Sequence, residues 1–265
     1  MPKKLGQHFL NNPEIIEKII KSANLKSTDV VLEIGPGEGV LTEKLAEKCQ
    51  KVIAVEIDNK LVKLLHNKLR NNKNITIIHD DILKINLPKL YSRYELQSTD
   101  YKLIANIPYY ITSKILRVFL ETENPPKEII LMVQKEVAER IIASSGKMSK
   151  LSISVQYYGK VEYFFTVKKE NFNPPPKVDS AVIRILPIAK RREKNEEREK
   201  KDKEFFKIIR AGFCARRKTL ANNISNSLHL DKKLVEKKLK TVSILPTARA
   251  QELSIKKWKE LSNLF

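Results

Sequence analysis

The chain has 265 residues with 51 Lys or Arg against 31 Asp or Glu, which leaves a net charge of +20. Hydrophobic residues make up 42% of the chain, enough for a packed core, so a disordered protein is excluded. No apolar run approaches the ~18 residues of a membrane span, and the start lacks a signal-peptide core, so we expect a cytoplasmic protein with no membrane contact.

Alternating strands and helices are predicted along the first two thirds of the chain. Parallel strands are predicted at 30–34, 51–56, 75–79, 102–105 and 128–133. Helices are predicted at 40–47, 60–71, 112–122 and 135–143. Three further β-rich runs, at 152–158, 163–167 and 180–185, are expected to add antiparallel strands. This alternation is typical of an α/β fold in which helices cover a parallel sheet.

The character of the chain changes after Pro187, where a highly charged stretch leads into helical spacing. We therefore predict an α/β domain over 1–187 and a smaller, mostly helical domain over 188–265, with Trp258 in its core. Leu61, Leu64, Leu65 and Leu69 are predicted to face the core of the first domain. The two cysteines, Cys49 and Cys214, are far apart, which predicts free thiols and no metal site.

A nucleoside pocket is predicted where the first three strands end. The strand at 30–34 runs into Gly35-Pro-Gly37-Glu-Gly39, and glycines allow the backbone to approach a ligand closely. This spacing differs from the G-x-G-x-x-G that seats a dinucleotide pyrophosphate. Glu56 ends the second strand, where it can accept both ribose hydroxyls, and Asp81 follows the third, where it can accept from an adenine amino group. The pattern favours S-adenosylmethionine, with a nicotinamide dinucleotide as the alternative.

The fourth strand carries the chemistry, because it ends in Asn106-Ile107-Pro108-Tyr109-Tyr110. The Asn106 side-chain carbonyl and the Ile107 main-chain carbonyl can accept from an adenine NH2, which directs the nitrogen lone pair toward a methyl group. Pro108 stiffens this turn, and Tyr109 offers a face for stacking. Because a sulfonium leaves as a neutral thioether, neither a metal nor a strong base is needed, and alignment carries the catalysis. A proline turn with surface tyrosines is the alternative.

Seven segments, spread over nearly the whole chain, resemble the bacterial small-subunit (16S) rRNA adenine N(6),N(6)-dimethyltransferase family. They are Gly6-Gln7-His8-Phe9-Leu10, Glu33-Ile-Gly35-Pro-Gly37-Glu-Gly39, Val55-Glu56-Ile57-Asp58, Asp80-Asp81-Ile82-Leu83, Asn106-Ile-Pro-Tyr-Tyr110, Gln134-Lys-Glu-Val-Ala-Glu-Arg140 and Phe172-Asn-Pro-Pro-Pro-Lys-Val-Asp-Ser180. Asn-Ile-Pro-Tyr resembles the [N/D]-[I/L/P]-P-[Y/F] motif of amino methyltransferases.

The resemblance implies a Rossmann-like, class I S-adenosylmethionine-dependent methyltransferase. Its implied reaction is dimethylation of each of two adjacent adenosines in the 3′-terminal hairpin loop of 16S rRNA, during small-subunit biogenesis. The implied cofactor-binding residues are His8, Leu10, Gly35, Gly37, Glu56, Ile57, Asp81, Ile82 and Asn106. The implied catalytic residues are Asn106, Pro108, Tyr109 and Phe172, with Phe172 as a second aromatic beside the target base. Since a stacked adenine cannot reach a buried sulfonium, the base must flip out.

The RNA-docking surface is predicted in the C-terminal domain. Between Phe205 and Leu230 the chain has five basic residues and no acidic ones, whereas 190–203 mixes both signs and is typical of an exposed helix with i,i+4 ion pairs. Arg216, Arg217 and Lys218 are the candidate phosphate contacts. The expected partner is 16S rRNA in a small-subunit precursor, bound by a monomer.

Three other functions stay open at this point. One is a large-subunit rRNA dimethylase of the macrolide-resistance type, which shares the same motifs. Another is an RNA-binding ribosome-assembly factor in which catalysis is secondary, and the third is a DNA adenine methylase. Methylation assays on the two rRNAs separate the first of these from the small-subunit enzyme.

Overall fold

Residues 8–96, 101–188 and 196–265 are described by the computed structural model of the chain. They divide into two compact units, the first formed by 8–138 and 159–188 and the second by 139–158 and 196–265. This division differs from the predicted boundary at residue 187, because 139–158 belongs to the helical unit, where Met148 and Ile153 are part of the core. Gly6 and Gln7 of the first motif lie outside the described residues.

The elements of the described residues alternate as predicted in the first unit. The strands are β1 (Phe9–Leu10), β2 (Val30–Ile34), β3 (Lys51–Glu56), β4 (Ile75–His79), β5 (Lys102–Asn106), β6 (Glu128–Gln134), β7 (Gly159–Val167), β8 (Phe172–Asn173) and β9 (Ser180–Pro187). The helices are α1 (Pro13–Ala23), α2 (Val40–Ala46), α3 (Asn59–Lys68), α4 (Leu87–Tyr94), α5 (Thr112–Leu120), α6 (Lys135–Ile141), α7 (Lys150–Tyr158), α8 (Glu196–Gly212), α9 (Leu220–Leu228), α10 (Lys232–Thr241) and α11 (Ile255–Ser262).

The main sheet of the first unit runs in the order β4-β3-β2-β5-β6-β9-β7 within the described residues. The first five strands are parallel, and β9 and β7 are antiparallel, which confirms the predicted α/β class and the antiparallel additions at 163–167 and 180–185. Every residue of β2 is buried, as expected for a parallel strand covered on both faces. The strand order reverses between β2 and β5, and open α/β sheets bind ligands at such a point.

One predicted strand is wrong, because 152–158 lies in helix α7. The β-branched and aromatic residues of this stretch favour a strand locally, but a reciprocal pair of bonds starts a helix. The Ser152 main-chain N–H donates to Ser149 Oγ (3.2 Å) while the Ser149 N–H donates to Ser152 Oγ (2.7 Å). This is a capping box in which serine replaces the usual Glu or Gln at the third helical residue. The β propensity of the following residues hid this helix signal in the sequence.

The predicted core face of α3 is wrong at one position. Leu65 and Leu69 are buried and Leu61 is partly buried, but Leu64 is 41% exposed. Successive helical residues are rotated by about 100°, so the buried face passes through Val62, Leu65 and Leu69 and leaves Leu64 to one side.

The second unit is helical and packs around Trp258, which is fully buried as predicted. The Phe213 ring stacks on Trp258 with centroids 5.6 Å apart, and a Cβ on Gly212 would overlap the indole. Lys201 pairs with Glu197 at 2.6 Å on the charged face of α8, as predicted for the part of 190–203 that is described.

Both cysteines are free thiols. Within the described ranges, every helix is too short or too polar to span a membrane.

Candidate active site

One pocket in the first unit lies where β2, β3 and β5 end, at the switch point of the sheet. All the cofactor and catalytic residues predicted in this unit line it. They are His8, Leu10, Gly35, Gly37, Glu56, Ile57, Asp81, Ile82, Asn106, Pro108, Tyr109 and Phe172. The structure thus brings together residues that are up to 164 positions apart, though the role of each stays a prediction.

The turn after β2 favours glycine at residue 35 for its backbone conformation and at residue 37 for both conformation and close packing. Gly35 and Gly37 have φ of 67° and 60°, a left-handed conformation that other residues adopt at a cost. A Cβ on Gly37 would lie 3.2 Å from the Phe9 ring, and one on Gly35 would lie 3.9 Å from the main-chain oxygen of Asn106. A Cβ on Gly37 would therefore be crowded by Phe9, whereas one on Gly35 would make only an ordinary van der Waals contact.

Glu56 is held rigidly at the end of β3. Its Oε1 accepts from the main-chain N–H groups of Ile57 and Asp58, both at 2.9 Å, and its Oε2 accepts from Gly37 at 3.3 Å. Burial raises the pKa of this carboxyl above its ordinary value, and the three N–H donors offset part of that rise. Of the roughly four acceptor sites of a carboxylate three are used, and the remaining one is on Oε2, so a fixed acceptor faces the pocket beside the glycine turn.

The far side of the pocket combines a carboxylate with apolar surface. Asp81 Oδ1 accepts from the Leu83 N–H at 3.0 Å, and a quarter of the Asp81 side chain is exposed. Ile82 is buried, whereas Ile57 is 49% exposed although it is strongly apolar. A planar base with an amino group suits such a surface, since it offers both stacking area and a donor.

The segment 106–110, which is predicted to be catalytic, lies beside the glycine turn. Asn106 ends β5 and pairs with Met132 of β6, and no described residue hydrogen-bonds its side-chain amide. Tyr109 follows in a short 3-10 helix, with its Oη 2.7 Å from the Oγ of the fully buried Ser180. Burial raises the pKa of Tyr109, and the bond to Ser180 offsets part of this. The ring is therefore neutral and fixed, while the Asn106 carbonyl is free to accept.

The amino-terminal segment closes one side of the pocket by pairing with the segment after Asn171. Strand β1 pairs with β8, with Leu10 opposite Phe172. His8 Nδ1 donates to the Pro174 carbonyl at 2.7 Å, and its ring lies 6.3 Å from that of Tyr109 at an angle of 23°. Phe172 lines the pocket but is only 5% exposed, so most of its ring packs against other residues of the core.

Glu33 also lines this pocket, and the sequence reasoning missed it. It lies on the fully buried β2, and its Oε2 has no hydrogen-bond partner among the described residues. Burial raises its pKa to about 8, with the Thr42 hydroxyl acting to lower it and the Glu56 carboxylate acting to raise it. The signal in the sequence was a carboxylate inside an otherwise apolar strand.

The predicted RNA contacts belong to the second unit. Arg216, Arg217 and Lys218 are exposed on the loop between α8 and α9. Asn223 of α9 is 1% exposed and holds this loop, because its Nδ2 donates to the main-chain oxygens of Gly212 (2.6 Å) and Ala215 (2.9 Å). A buried, fully bonded amide thus sets the conformation of the basic loop.

Comparison with known proteins agrees with this geometry. The model of the ribosomal RNA adenine dimethylase family matches residues 1–265. A ribosomal RNA small subunit methyltransferase A from Dehalococcoides mccartyi is 44% identical over 260 residues, covering 98% of this chain and 86% of that protein.

Two crystal structures share the fold over both units. A dimethyladenosine transferase from Plasmodium falciparum is 30% identical, with a TM-score of 0.80 and 96% of each chain covered. The 23S rRNA methyltransferase ErmE is 26% identical, with a TM-score of 0.75, covering 96% of this chain and 98% of its own. With a methyltransferase sheet, a pocket at its switch point and a family match along its whole length, this chain belongs to the ribosomal RNA adenine dimethylase family.

Proposed function

We propose that this enzyme dimethylates the exocyclic amino groups of two adjacent adenosines in the 3′-terminal hairpin loop of 16S rRNA. The observation that carries the proposal is the meeting of Asn106, Glu56 and Asp81 at one pocket, beside a glycine turn without the dinucleotide spacing. The same residues support S-adenosylmethionine as the methyl donor, with S-adenosylhomocysteine as its product.

The pocket fits this cofactor residue by residue. Glu56 presents a rigid carboxylate for the ribose hydroxyls, and Asp81 accepts from the adenine amino group between the apolar Ile57 and Ile82. Gly35 and Gly37 leave the backbone open to the amino-acid part, where the partnerless Oε2 of Glu33 can receive a cationic group. When bound there, the cofactor would supply a methyl group carried on a sulfonium sulfur. After transfer of the methyl group, that sulfur would be a neutral thioether.

The segment 106–110 binds the nucleophile, which is the amino group of the target adenine. Asn106 Oδ1 and the Ile107 main-chain oxygen accept from the adenine NH2, whose lone pair is otherwise delocalised into the ring. Positive charge develops on this nitrogen as the methyl group transfers, so two fixed acceptors stabilise the transition state more than the ground state. Tyr109, held by Ser180, stacks on the flipped base.

The choice of RNA rests on the comparisons. The relative named for the small subunit is 44% identical to this chain, whereas the 23S rRNA enzyme ErmE is 26% identical. A loop adenosine also costs less to flip than a paired one. The basic loop with Arg216, Arg217 and Lys218 supplies phosphate contacts outside the pocket.

Incubation with methyl-labelled S-adenosylmethionine tests the proposal directly. Unmethylated small subunits and, in parallel, unmethylated large subunits are the substrates, followed by nucleoside analysis. The expected result is dimethyladenosine at two adjacent positions of 16S rRNA, with none in 23S rRNA. Label confined to 23S rRNA would identify the macrolide-resistance type instead, and tight binding to small subunits without any label would favour an assembly factor.

A further inference from the structure

Two consecutive tyrosines at the mouth of the pocket have opposite environments. Tyr109 is half-buried and bonded to Ser180, whereas Tyr110 is 67% exposed and lines the same pocket. Within the described ranges Tyr110 neither stacks on another ring nor makes a hydrogen bond. A large aromatic side chain left in water beside a concave site has unsatisfied stacking capacity.

Local geometry explains why the two rings diverge. Residues 109–111 form a turn of 3-10 helix, in which successive side chains are rotated by about 120°. Because Ser180 holds Tyr109 on the inner side, Tyr110 is turned outward to the mouth. The exposure of Tyr110 is thus dictated by the backbone that places Tyr109.

A lysine lies one helical turn beyond this ring. Lys114 is exposed in the first turn of α5, lines the pocket, and makes no ion pair within the described residues. That turn holds no acidic residue, and a cation near a helix N-terminus is opposed by the helix dipole. Its charge is therefore uncompensated within the described protein, and an anion at the pocket mouth would compensate it.

We propose that Tyr110 and Lys114 form a subsite for the nucleotide that adjoins the target adenosine, with the ring stacked on that neighbouring base and the ammonium paired with the phosphate between the two. The subsite rests on the proposed function and deepens it. Flipping the target base strips its neighbour of a stacking partner, and an exposed aromatic ring replaces that partner. Since the two target adenosines are adjacent, each serves as the neighbour while the other occupies the pocket.

Steady-state methylation of small subunits tests the subsite. Tyr110→Ala is expected to raise KM for the subunit roughly tenfold or more, the worth of one base–aromatic stack, while Tyr110→Phe stays near wild type. Lys114→Gln is expected to reduce the salt dependence of RNA binding by about one phosphate contact, and Lys114→Arg to restore it. Affinity for S-adenosylhomocysteine should not change. Lys63→Gln, an exposed lysine on α3 outside the pocket lining, is the matched control.

Removing the base of the nucleotide beside the target adenosine tests the stacking contact of Tyr110 specifically. In subunits reconstituted with rRNA lacking the base beside the target, wild type and Tyr110→Ala should perform equally, because the partner of the ring is gone. If the Tyr110→Ala defect persists undiminished there, or if the variant matches wild type on intact rRNA, the subsite is refuted while the methyltransferase assignment stands. If wild type itself methylates no small subunit, both proposals fall.

Discussion

Replacing Glu33 with glutamine is the sharpest test of the electrostatics in the pocket. Glu33 is 2% exposed, and its Oε2 has no hydrogen-bond partner among the described residues. Burial raises its pKa from 4.5 to about 8, the Thr42 hydroxyl opposes this, and the Glu56 carboxylate adds to it. In the cofactor-free protein near neutral pH, Glu33 therefore carries a proton that it would lose on unfolding.

The sign and size of the stability effect follow from that difference. Between pH 4.5 and 8 the folded state holds one more proton at Glu33 than the unfolded state, so the free energy of unfolding falls as pH rises. The slope is about 1.4 kcal/mol per pH unit. The free energy of unfolding therefore falls by roughly 5 kcal/mol in total between pH 4.5 and pH 8. Glutamine resembles the protonated carboxyl and does not titrate.

Urea unfolding of both proteins at pH 5, 6 and 7 measures this directly. Wild type is expected to lose about 3 kcal/mol relative to Glu33→Gln over those two pH units. Circular dichroism is the suitable probe, because the one tryptophan, Trp258, lies in the second unit. Glu17→Gln, an exposed position on α1, is the control and should track wild type. A difference between wild type and Glu33→Gln that stays constant with pH would refute the buried, protonated carboxyl.

Three further substitutions test the site and the docking loop. Asn106→Ala should lower the methylation rate by about 100-fold or more while S-adenosylhomocysteine still binds in a calorimeter; a wild-type rate would contradict the role of the amide. Replacing Arg216, Arg217 and Lys218 together with glutamine should weaken RNA binding and reduce its salt slope by up to about three phosphate contacts, and an unchanged slope would place docking elsewhere. Asn223→Ala removes the side-chain donor of the Gly212 oxygen and one of the two donors of the Ala215 oxygen, which still accepts from the Lys218 N–H. We therefore expect a loss of about 1–3 kcal/mol in unfolding free energy and weaker RNA binding; full stability would show that the loop holds itself.

Much of the first unit could be predicted because its strands are short, apolar and bounded by turns. The five parallel strands agree with the structure to within one residue. In β2, β3, β5 and β6 burial on both faces leaves mostly apolar runs, whereas β4 at the edge of the sheet is only partly buried. The failure at 152–158 has the opposite cause. Side chains that favour a strand by propensity were overruled by a serine capping box and by packing of Tyr157 on Phe205, with ring centroids 4.0 Å apart.

The sequence by itself determined that the ends of β3, β4 and β5 meet at the pocket, although it did not reveal Glu33. Motifs that follow parallel strands must converge at one edge of the sheet, so Glu56, Asp81 and Asn106 could be grouped from their positions alone. Their individual roles stay predictions that the experiments above address.

The tertiary structure alone decided which buried charged groups have partners. Lys102 lies inside β5, 5% exposed, and pairs with Asp29 (3.3 Å) and Glu128 (3.0 Å), whereas Glu33 on the adjacent β2 has an oxygen with no partner among the described residues. Both are isolated charges in apolar strands when read as sequence. Partners come from residues far away in the chain, whose positions are set by packing and not by local pattern. Tyr109 likewise bonds to Ser180, which is 71 positions away.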